Sequence, residues 1–302
     1  SLINEDLSIK GFLNGEDPIS TAMALNAIGS SINISGTDVE ILKRDIPFIS
    51  PEFDIDLGNS GTGIRLLMGL ISSLDINATL VGDESLSKRP MLRVANPLNE
   101  MGAKVACTNG TPPVKIEKGD IKDNFLYDMP VASAQVKSSI ILSALAANKK
   151  VTVIEEHPTR NHTERMINYF GGNIEHIKKD SGNIITLHKP KLTSRPSYEV
   201  VGDFSSAAFL IVAGVIAKES NILIKNVGLN STRCGLIKVL QSMGANIEIL
   251  NQSVVCNEEV VHFRLVFAHR HAPSSLMSTF SFSKTQFSRG FCAFAQRGVT
   301  QT

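Results

Sequence analysis

Four segments of this chain share one pattern at nearly constant spacing, and that repeat constrains the fold more than any single motif. They read Leu25-Asn-Ala-Ile-Gly29, Leu98-Asn-Glu-Met-Gly102, Ile167-Asn-Tyr-Phe-Gly171 and Leu240-Gln-Ser-Met-Gly244. The glycines are 73, 69 and 73 residues apart. Each closes a helical apolar pattern and opens an alternating, strand-like one, as a glycine in the left-handed conformation does between a helix and a strand. Every period has room for a further strand and helix. The strand 151–155, and the strand 199–201 followed by a helix over 204–218, supply the best examples, with the short run 78–81 set aside. The runs 174–179 and 184–188, joined by Asp180-Ser-Gly-Asn183, read as a hairpin. The fold class is therefore α/β (α+β), with a β-α-β-α-β-β module of about 70 residues repeated roughly three times before Lys189.

The polar, proline-rich segment Lys189-Pro-Lys-Leu-Thr-Ser-Arg-Pro-Ser197 marks a domain boundary. The expected organisation is a three-module domain over 1–197, the first module of a second domain over 198–265, and an unassigned tail over 266–302. The tail sustains no period of 2 or 3.6 residues. His269 and His271 lie there without a partner carboxylate, and are read as solvated rather than as metal ligands.

Lysine and arginine number 30 against 29 acids among 302 residues, a net charge of +1, which excludes a globally basic nucleic-acid binder or membrane-surface protein. Any anion site must be local. Cys107, Cys234, Cys256 and Cys292 form no C-x-x-C pair, which argues for packing thiols in a reducing compartment over a zinc site or disulfide scaffold. The N-terminal stretch has no basic start or apolar core of a signal peptide, and lacks an initiator methionine. The longest apolar run, 207–217, has 11 residues, short of the roughly 20 that span a bilayer.

Chemistry is concentrated in three stretches. Gly58-Asn-Ser-Gly-Thr-Gly-Ile-Arg65 places glycines and small polar residues at the mouth of the apolar run 66–71. It reads either as an anion site, because free first-turn amides are electropositive and a Cβ-free turn lets an oxygen approach, or as a strand-to-helix turn in which glycine only relieves crowding. Neither the Walker nor the dinucleotide pattern fits. In Gly82-Asp-Glu-Ser-Leu-Ser-Lys-Arg-Pro-Met91, Pro90 holds Arg89 extended, able to present its fork to a carboxylate or phosphate, or leaving Lys88 and Arg89 as a solvated pair. Val131-Ala-Ser-Ala-Gln-Val-Lys-Ser138 opens the apolar helix 140–147, where Ser133 and Gln135 either cap the helix or join its amides on a phosphate.

Together with Thr159-Arg-Asn-His-Thr-Glu-Arg165, Gly202-Asp-Phe-Ser-Ser-Ala-Ala-Phe209 and Asn226-Val-Gly-Leu-Asn-Ser-Thr-Arg233, these stretches resemble, in order and spacing, the bacterial 5-enolpyruvylshikimate-3-phosphate synthases. The likeness covers about 8–250 and fades around 254–264. The Ser-Lys-Arg-Pro run opposes the sister transferase acting on UDP-N-acetylglucosamine. The resemblance implies the two-domain enolpyruvyl transferase fold, an inside-out α/β barrel of three modules per domain, here with an incomplete second domain. It also implies transfer of the enolpyruvyl group of phosphoenolpyruvate to the 5-hydroxyl of shikimate 3-phosphate in a cytoplasmic monomer. Neither cofactor nor metal is implied, nor any nucleic-acid or membrane partner.

Carried over by motif, Gly61 and Arg89 match phosphoenolpyruvate contacts, with Asn59 and Thr62 alongside. Ser133 matches a contact to the 3-phosphate, Gln135 a residue touching both substrates, and Thr159 stands where a phosphate-binding Ser is common. Asp203 reads as a helix N-cap. The family's opening lysine motif and its C-terminal acid/base and basic motifs have no counterpart, and Lys10 does not replace the missing lysine. The catalytic residues are therefore unknown, and the chain is read as a truncated or frame-disrupted synthase without turnover of its own. The alternative is a non-catalytic phosphate-binding or interaction module.

Overall fold

The computed structural model describes residues 2–3, 5–179, 182–217 and 220–266. Two compact units divide the chain, one ending at Tyr198 and the next beginning at Glu199. The first unit starts with strand β1 (Leu7–Lys10), helix α1 (Glu16–Ala27), β2 (Ser31–Ser35) and β3 (Asp38–Leu42). A second module follows as β4 (Ile55–Asp56), α2 (Gly61–Ile71), β5 (Ala78–Val81), α3 (Leu92–Glu100), β6 (Lys104–Thr108) and β7 (Thr111–Glu117). The third is β8 (Phe125–Met129), α4 (Ala134–Ala147), β9 (Val151–Glu155), α5 (His162–Tyr169), β10 (Ile174–Lys179) and β11 (Gly182–Leu187). Run 78–81, which the sequence reading set aside, is thus a strand at the centre of its sheet.

The repeat has a single topology. The second and third modules give sheets ordered β4-β5-β7-β6 and β8-β9-β11-β10. In each, the first two strands are parallel across a helix and the remaining pairs antiparallel. The first module repeats this order as β12-β1-β3-β2, with the opening position taken by β12 (Ser197–Glu199). None of these sheets closes into a barrel among the described residues.

A side-chain device explains the recurring Leu-Asn. Asn26 donates to the Ile32 carbonyl at 2.9 Å and accepts from the Ile32 N–H at 2.8 Å. Asn99 does the same to Val105, both at 2.8 Å, and Asn168 to Ile174 at 3.1 and 3.2 Å. A carboxamide offers both N–H donors and an acceptor oxygen, so it pairs both backbone groups of the entering strand as a neighbouring strand would. Gln241 stands in the fourth repeat and, among the described residues, makes one such bond, to the Ile247 carbonyl at 3.3 Å. The helix-end glycines Gly29, Gly102, Gly171 and Gly244 have φ of 98°, 106°, 74° and 90°, the left-handed conformation expected of them.

The core of the first unit lies where α2 and α4 meet, with Ile64, Met68, Ile71, Ile140, Ile141 and Ala144 buried between the sheets. Ser139 Oγ donates to the Arg65 carbonyl at 2.7 Å, and Ser72 and Ser143 lie 3.4 Å apart. These partners advance together along both helices, so α2 and α4 run parallel. Their approach needs Gly69: an ideal Cβ there would overlap the Ser139 carbonyl and stand 2.7 Å from its Cα. Backbone cannot swing aside as a side chain can. Gly69→Ala should therefore lower unfolding stability by roughly 2–3 kcal/mol despite better helix propensity. An unchanged denaturant midpoint would show that the helices separate freely.

The second unit contains α6 (Phe204–Ile216), β13 (Asn221–Gly228), α7 (Gly235–Ser242), β14 (Ile247–Val255) and β15 (Glu258–Val266). Its sheet order β13-β15-β14 repeats three positions of the common sheet, and a parallel bridge between Gly202 and Val227 marks the fourth. Phe204, Ile211, Leu240, Phe263 and Leu265 form its core. The expected strand 199–201 lies earlier, as β12 ending at Glu199, and Asp203 caps α6, accepting from the Ser206 N–H at 2.8 Å. The helix expected to reach 218 ends at Ile216, where Ala217 turns extended. Where the family likeness was read as fading, the chain forms its longest hairpin, 9 residues on each side. Cys107 and Cys234 pack partly against the two cores as free thiols. The tail 267–302, with His269, His271 and Cys292, lies outside the described residues.

Candidate anion-binding site at two helix N-termini

Because α2 and α4 are parallel and in register, their N-termini emerge side by side. Gln135, the second residue of α4, donates from Nε2 to Oγ1 of Thr62, the second residue of α2, at 2.9 Å. Two sets of electropositive first-turn amides thus share one mouth. Ser60 caps α2, accepting from the Gly63 N–H at 3.1 Å. Ser133 caps α4 with a long 3.4 Å bond from the Val136 N–H, which leaves its hydroxyl proton to offer elsewhere.

Three guanidinium groups surround this mouth. Arg89 donates to Asn59 Oδ1 in a very short bond, and its Nη1 lies 2.5 Å from where a Cβ on Gly61 would stand. Glycine at 61 is what lets the cation lie against the helix end. Arg65 is 6% exposed and donates to Gln135 Oε1 at 3.0 Å, the Gly61 carbonyl at 3.3 Å and the Pro90 carbonyl at 3.2 Å. Arg93 donates to the same Gln135 oxygen at 3.3 Å. No carboxylate oxygen lies within ion-pair distance of these three among the described residues, whose pairs lie elsewhere. Burial first, then the repulsion of Arg93 and Arg89, draws Arg65 down from the ordinary arginine value. Arg89 also feels the charge of Asp83 beyond ion-pair distance, but all three cations make their hydrogen bonds to neutral oxygens, and an anion at the mouth would relieve their mutual repulsion.

The two amides are fixed in direction. Asn59 gives its oxygen to Arg89 and its Nδ2 to Asp83 at 2.8 Å. Asp83 also accepts from the Leu86 N–H at 2.7 Å, and this bond, then the Asn59 amide, holds its carboxyl below the ordinary range. Gln135 gives its oxygen to the two arginines, so its N–H groups face Thr62 and the mouth. Lys88 is exposed and pairs with Glu84 at 2.6 Å, the solvated half of the basic pair.

Asn59, Gly61, Thr62, Arg89 and Gln135 are thus brought together, with Ser133 one turn-start away. Thr159 is joined to them only indirectly. Its N–H lies 3.2 Å from each oxygen of Glu155 and its hydroxyl donates to Glu155 Oε2 at 2.7 Å. Glu155 is in turn 3.1 Å from Lys137 of α4, a fully buried lysine that also reaches Glu164 at 2.8 Å. The sequence reading did not single out Arg65, Arg93, Lys137 or Glu155. An arginine at the head of the apolar run of α2, and a lysine just before that of α4, were the signals available.

A family model for EPSP synthase (3-phosphoshikimate 1-carboxyvinyltransferase) matches residues 1–280. The chain belongs to the EPSP synthase family. The match runs through the β14–β15 hairpin and into the tail, beyond the limit read from the sequence motifs. A curated 3-phosphoshikimate 1-carboxyvinyltransferase of Leptospira interrogans is 44% identical over 257 residues, 83% of this chain and 58% of the relative. One from Hydrogenovibrio crunogenus is 40% identical over 268 residues, 85% and 59%. The solved EPSP synthase of Acinetobacter baumannii superposes with a TM-score of 0.78 at 36% identity, covering 91% of this chain and 62% of that one. The chain therefore spans about three fifths of the length of these EPSP synthases. Among the described residues no cluster of His, Cys, Asp and Glu could hold a metal, and no helix is long and apolar enough to cross a membrane.

Proposed function

We propose that the protein to which this chain belongs transfers the enolpyruvyl group of phosphoenolpyruvate to the 5-hydroxyl of shikimate 3-phosphate, and that this chain supplies one part of the cage for both. The observation that carries the reading is the shared mouth of α2 and α4, ringed by three arginines with no carboxylate within ion-pair distance among the described residues. Both substrates are anions, and such a mouth suits phosphate and carboxylate groups. Arg89, with Gly61, Asn59 and Thr62, receives phosphoenolpyruvate. Ser133 receives the 3-phosphate with its free hydroxyl proton, and the N–H groups of Gln135 reach both ligands. Cations so placed favour negative charge developing on the departing phosphate.

Proton transfer is a separate requirement. The enol methylene must be protonated before C2 accepts the hydroxyl, and a base must take the hydroxyl proton. Arginine, asparagine, glutamine, serine and threonine line the mouth, and none of these side chains exchanges protons near neutrality. The groups described here bind and orient; they do not act as acid or base. The chain also divides into two units, which fits the expected three-module domain over 1–197 and further module over 198–265. The expected cytoplasmic monomer remains part of this proposal.

Calorimetric titration of the 302-residue chain tests it. Phosphoenolpyruvate and shikimate 3-phosphate should each bind, more weakly as salt rises, because exposed charges are screened. With both present, the chain alone should release no phosphate. Heat from neither ligand, or binding indifferent to salt, would sink the reading of the mouth as their site.

A further inference from the structure

Asp83 is an exposed carboxylate beside a mouth that gathers cations, and its two oxygens are committed to donors on different segments. Oδ1 accepts from the Leu86 N–H at 2.7 Å, at the start of the short 3-10 turn Leu86–Lys88 that leads into Arg89. Oδ2 accepts from Asn59 Nδ2 at 2.8 Å, and the other end of that amide, Asn59 Oδ1, accepts from Arg89 Nη2. The two backbones are joined at the same point, where the Asp83 N–H donates to the Gly58 carbonyl at 2.9 Å. Capping the turn needs only one oxygen, and asparagine or serine would supply it without charge. A carboxylate here also works against an anionic ligand at the mouth. Its second oxygen, aimed at Asn59, is what capping leaves unexplained.

We infer that Asp83 is a positioning residue for the anion mouth, holding the Asn59 amide with its oxygen toward Arg89 and so keeping that guanidinium against the N-terminus of α2. This rests on the function proposed above. The two ends of a carboxamide are nearly alike in shape, so its neighbours decide which one faces the arginine. An ionised Asp83 can only accept, which draws the N–H end to its own side and sends the oxygen to Arg89. The bond from the Leu86 N–H, then that from Asn59, holds the Asp83 carboxyl below the ordinary range, so near neutrality it accepts on both oxygens. With Nη2 engaged by Asn59, Arg89 lays Nη1 against the helix end, 2.5 Å from where a Cβ on Gly61 would stand. The Asp83→Asn side chain would have one oxygen for two donors. If that oxygen stays with the Leu86 N–H, its own N–H groups meet Asn59, which must turn over and point Nδ2 at a cation. Removing a negative charge beside the mouth should thus weaken anion binding, opposite to its direct Coulomb effect.

Calorimetry on the full chain, with phosphoenolpyruvate and inorganic phosphate as probes, tests this in two backgrounds. Asp83→Asn keeps the size of the side chain and can keep the cap, so its melting temperature should match the parent's. It should raise the dissociation constants of both probes about fivefold, the effect of one misdirected hydrogen bond. In an Asn59→Ala background no amide is left to orient, and Asp83→Asn should weaken neither probe. Unchanged or tighter binding in Asp83→Asn alone would leave Asp83 acting by charge only and overturn the inference. Equal weakening in both backgrounds would make it a support of the loop that acts without Asn59, and would overturn it too. A readout without ligand accompanies these: the side-chain amide signal of Asn59 in NMR, identified by its loss in Asn59→Ala, should exchange faster with water in Asp83→Asn, and an unaltered rate counts against the inference. If Asn59→Ala binds neither probe, the single variant and the amide signal decide together. A parent chain that binds phosphate but not phosphoenolpyruvate counts against the proposed substrate, and the phosphate arm still decides the role of Asp83. A parent chain that binds neither removes both.

Discussion

Lys137→Met is expected to lower stability at neutral pH by about 3–5 kcal/mol, because it strips the cation from two buried carboxylates while filling the same space. In the parent protein Glu155 has a depressed carboxyl, so its contribution is present above its unfolded value of about 4.5 and fades as pH falls through the folded value. In the variant Glu155 keeps its bonds from Thr159 and Asn183 but loses the Lys137 charge, so its carboxyl rises from its depressed position and the stability it contributes above its unfolded value shrinks. The deficit of the variant should therefore be full at pH ~7 and narrow by pH ~4, where the parent's own contribution fades. Denaturant unfolding at both pH values makes the measurement. A variant as stable as the parent at pH ~7 would mean that water or rearrangement already compensates Glu155.

Gly61→Ala is expected to raise the dissociation constant for phosphoenolpyruvate about 10- to 100-fold with little change in melting temperature. The added methyl would stand 2.5 Å from Arg89 Nη1 and 3.4 Å from Arg65 Nη1. Its obstacle is the far end of a flexible side chain, so Arg89 can swing away and the fold survives. The helix gains from alanine if anything. What is lost is the guanidinium lying against the helix end, and with it charge-assisted bonds of roughly 1.5–3 kcal/mol. The contrast with Gly69 is instructive, because there the obstacle is the backbone of α4 and stability falls instead. Equal affinities for parent and variant would show that Arg89 contributes nothing from this position.

Local patterns carried much of this fold. The helix-end glycines were legible because an αL residue between a helix and a strand is a local requirement, met in all four repeats. The hairpin at 256–257 was not legible. Cys256 and Asn257 both have positive φ, at 48° and 65°, in a two-residue turn that sequence signals normally assign to Asn-Gly or Asp-Gly. Cysteine there gives no local warning. Likewise β5 is a four-residue run whose identity as a strand comes from pairing with β4 and β7, not from its own length.

The sequence by itself determined the modular repeat and the residue types at the anion mouth. Helix ends, caps and glycine-rich turns depend on residues within a few positions of one another. Only the tertiary structure decided which charges face each other. Arg65, Arg93 and Gln135 come together from positions up to 70 residues apart, and Thr159 meets α4 only through Lys137 and Glu155. Whether an arginine awaits an anion or is already neutralised depends on distances of a few ångströms across parallel helices. Coulomb energy and hydrogen bonding depend on separation in space, which spacing along the chain does not encode.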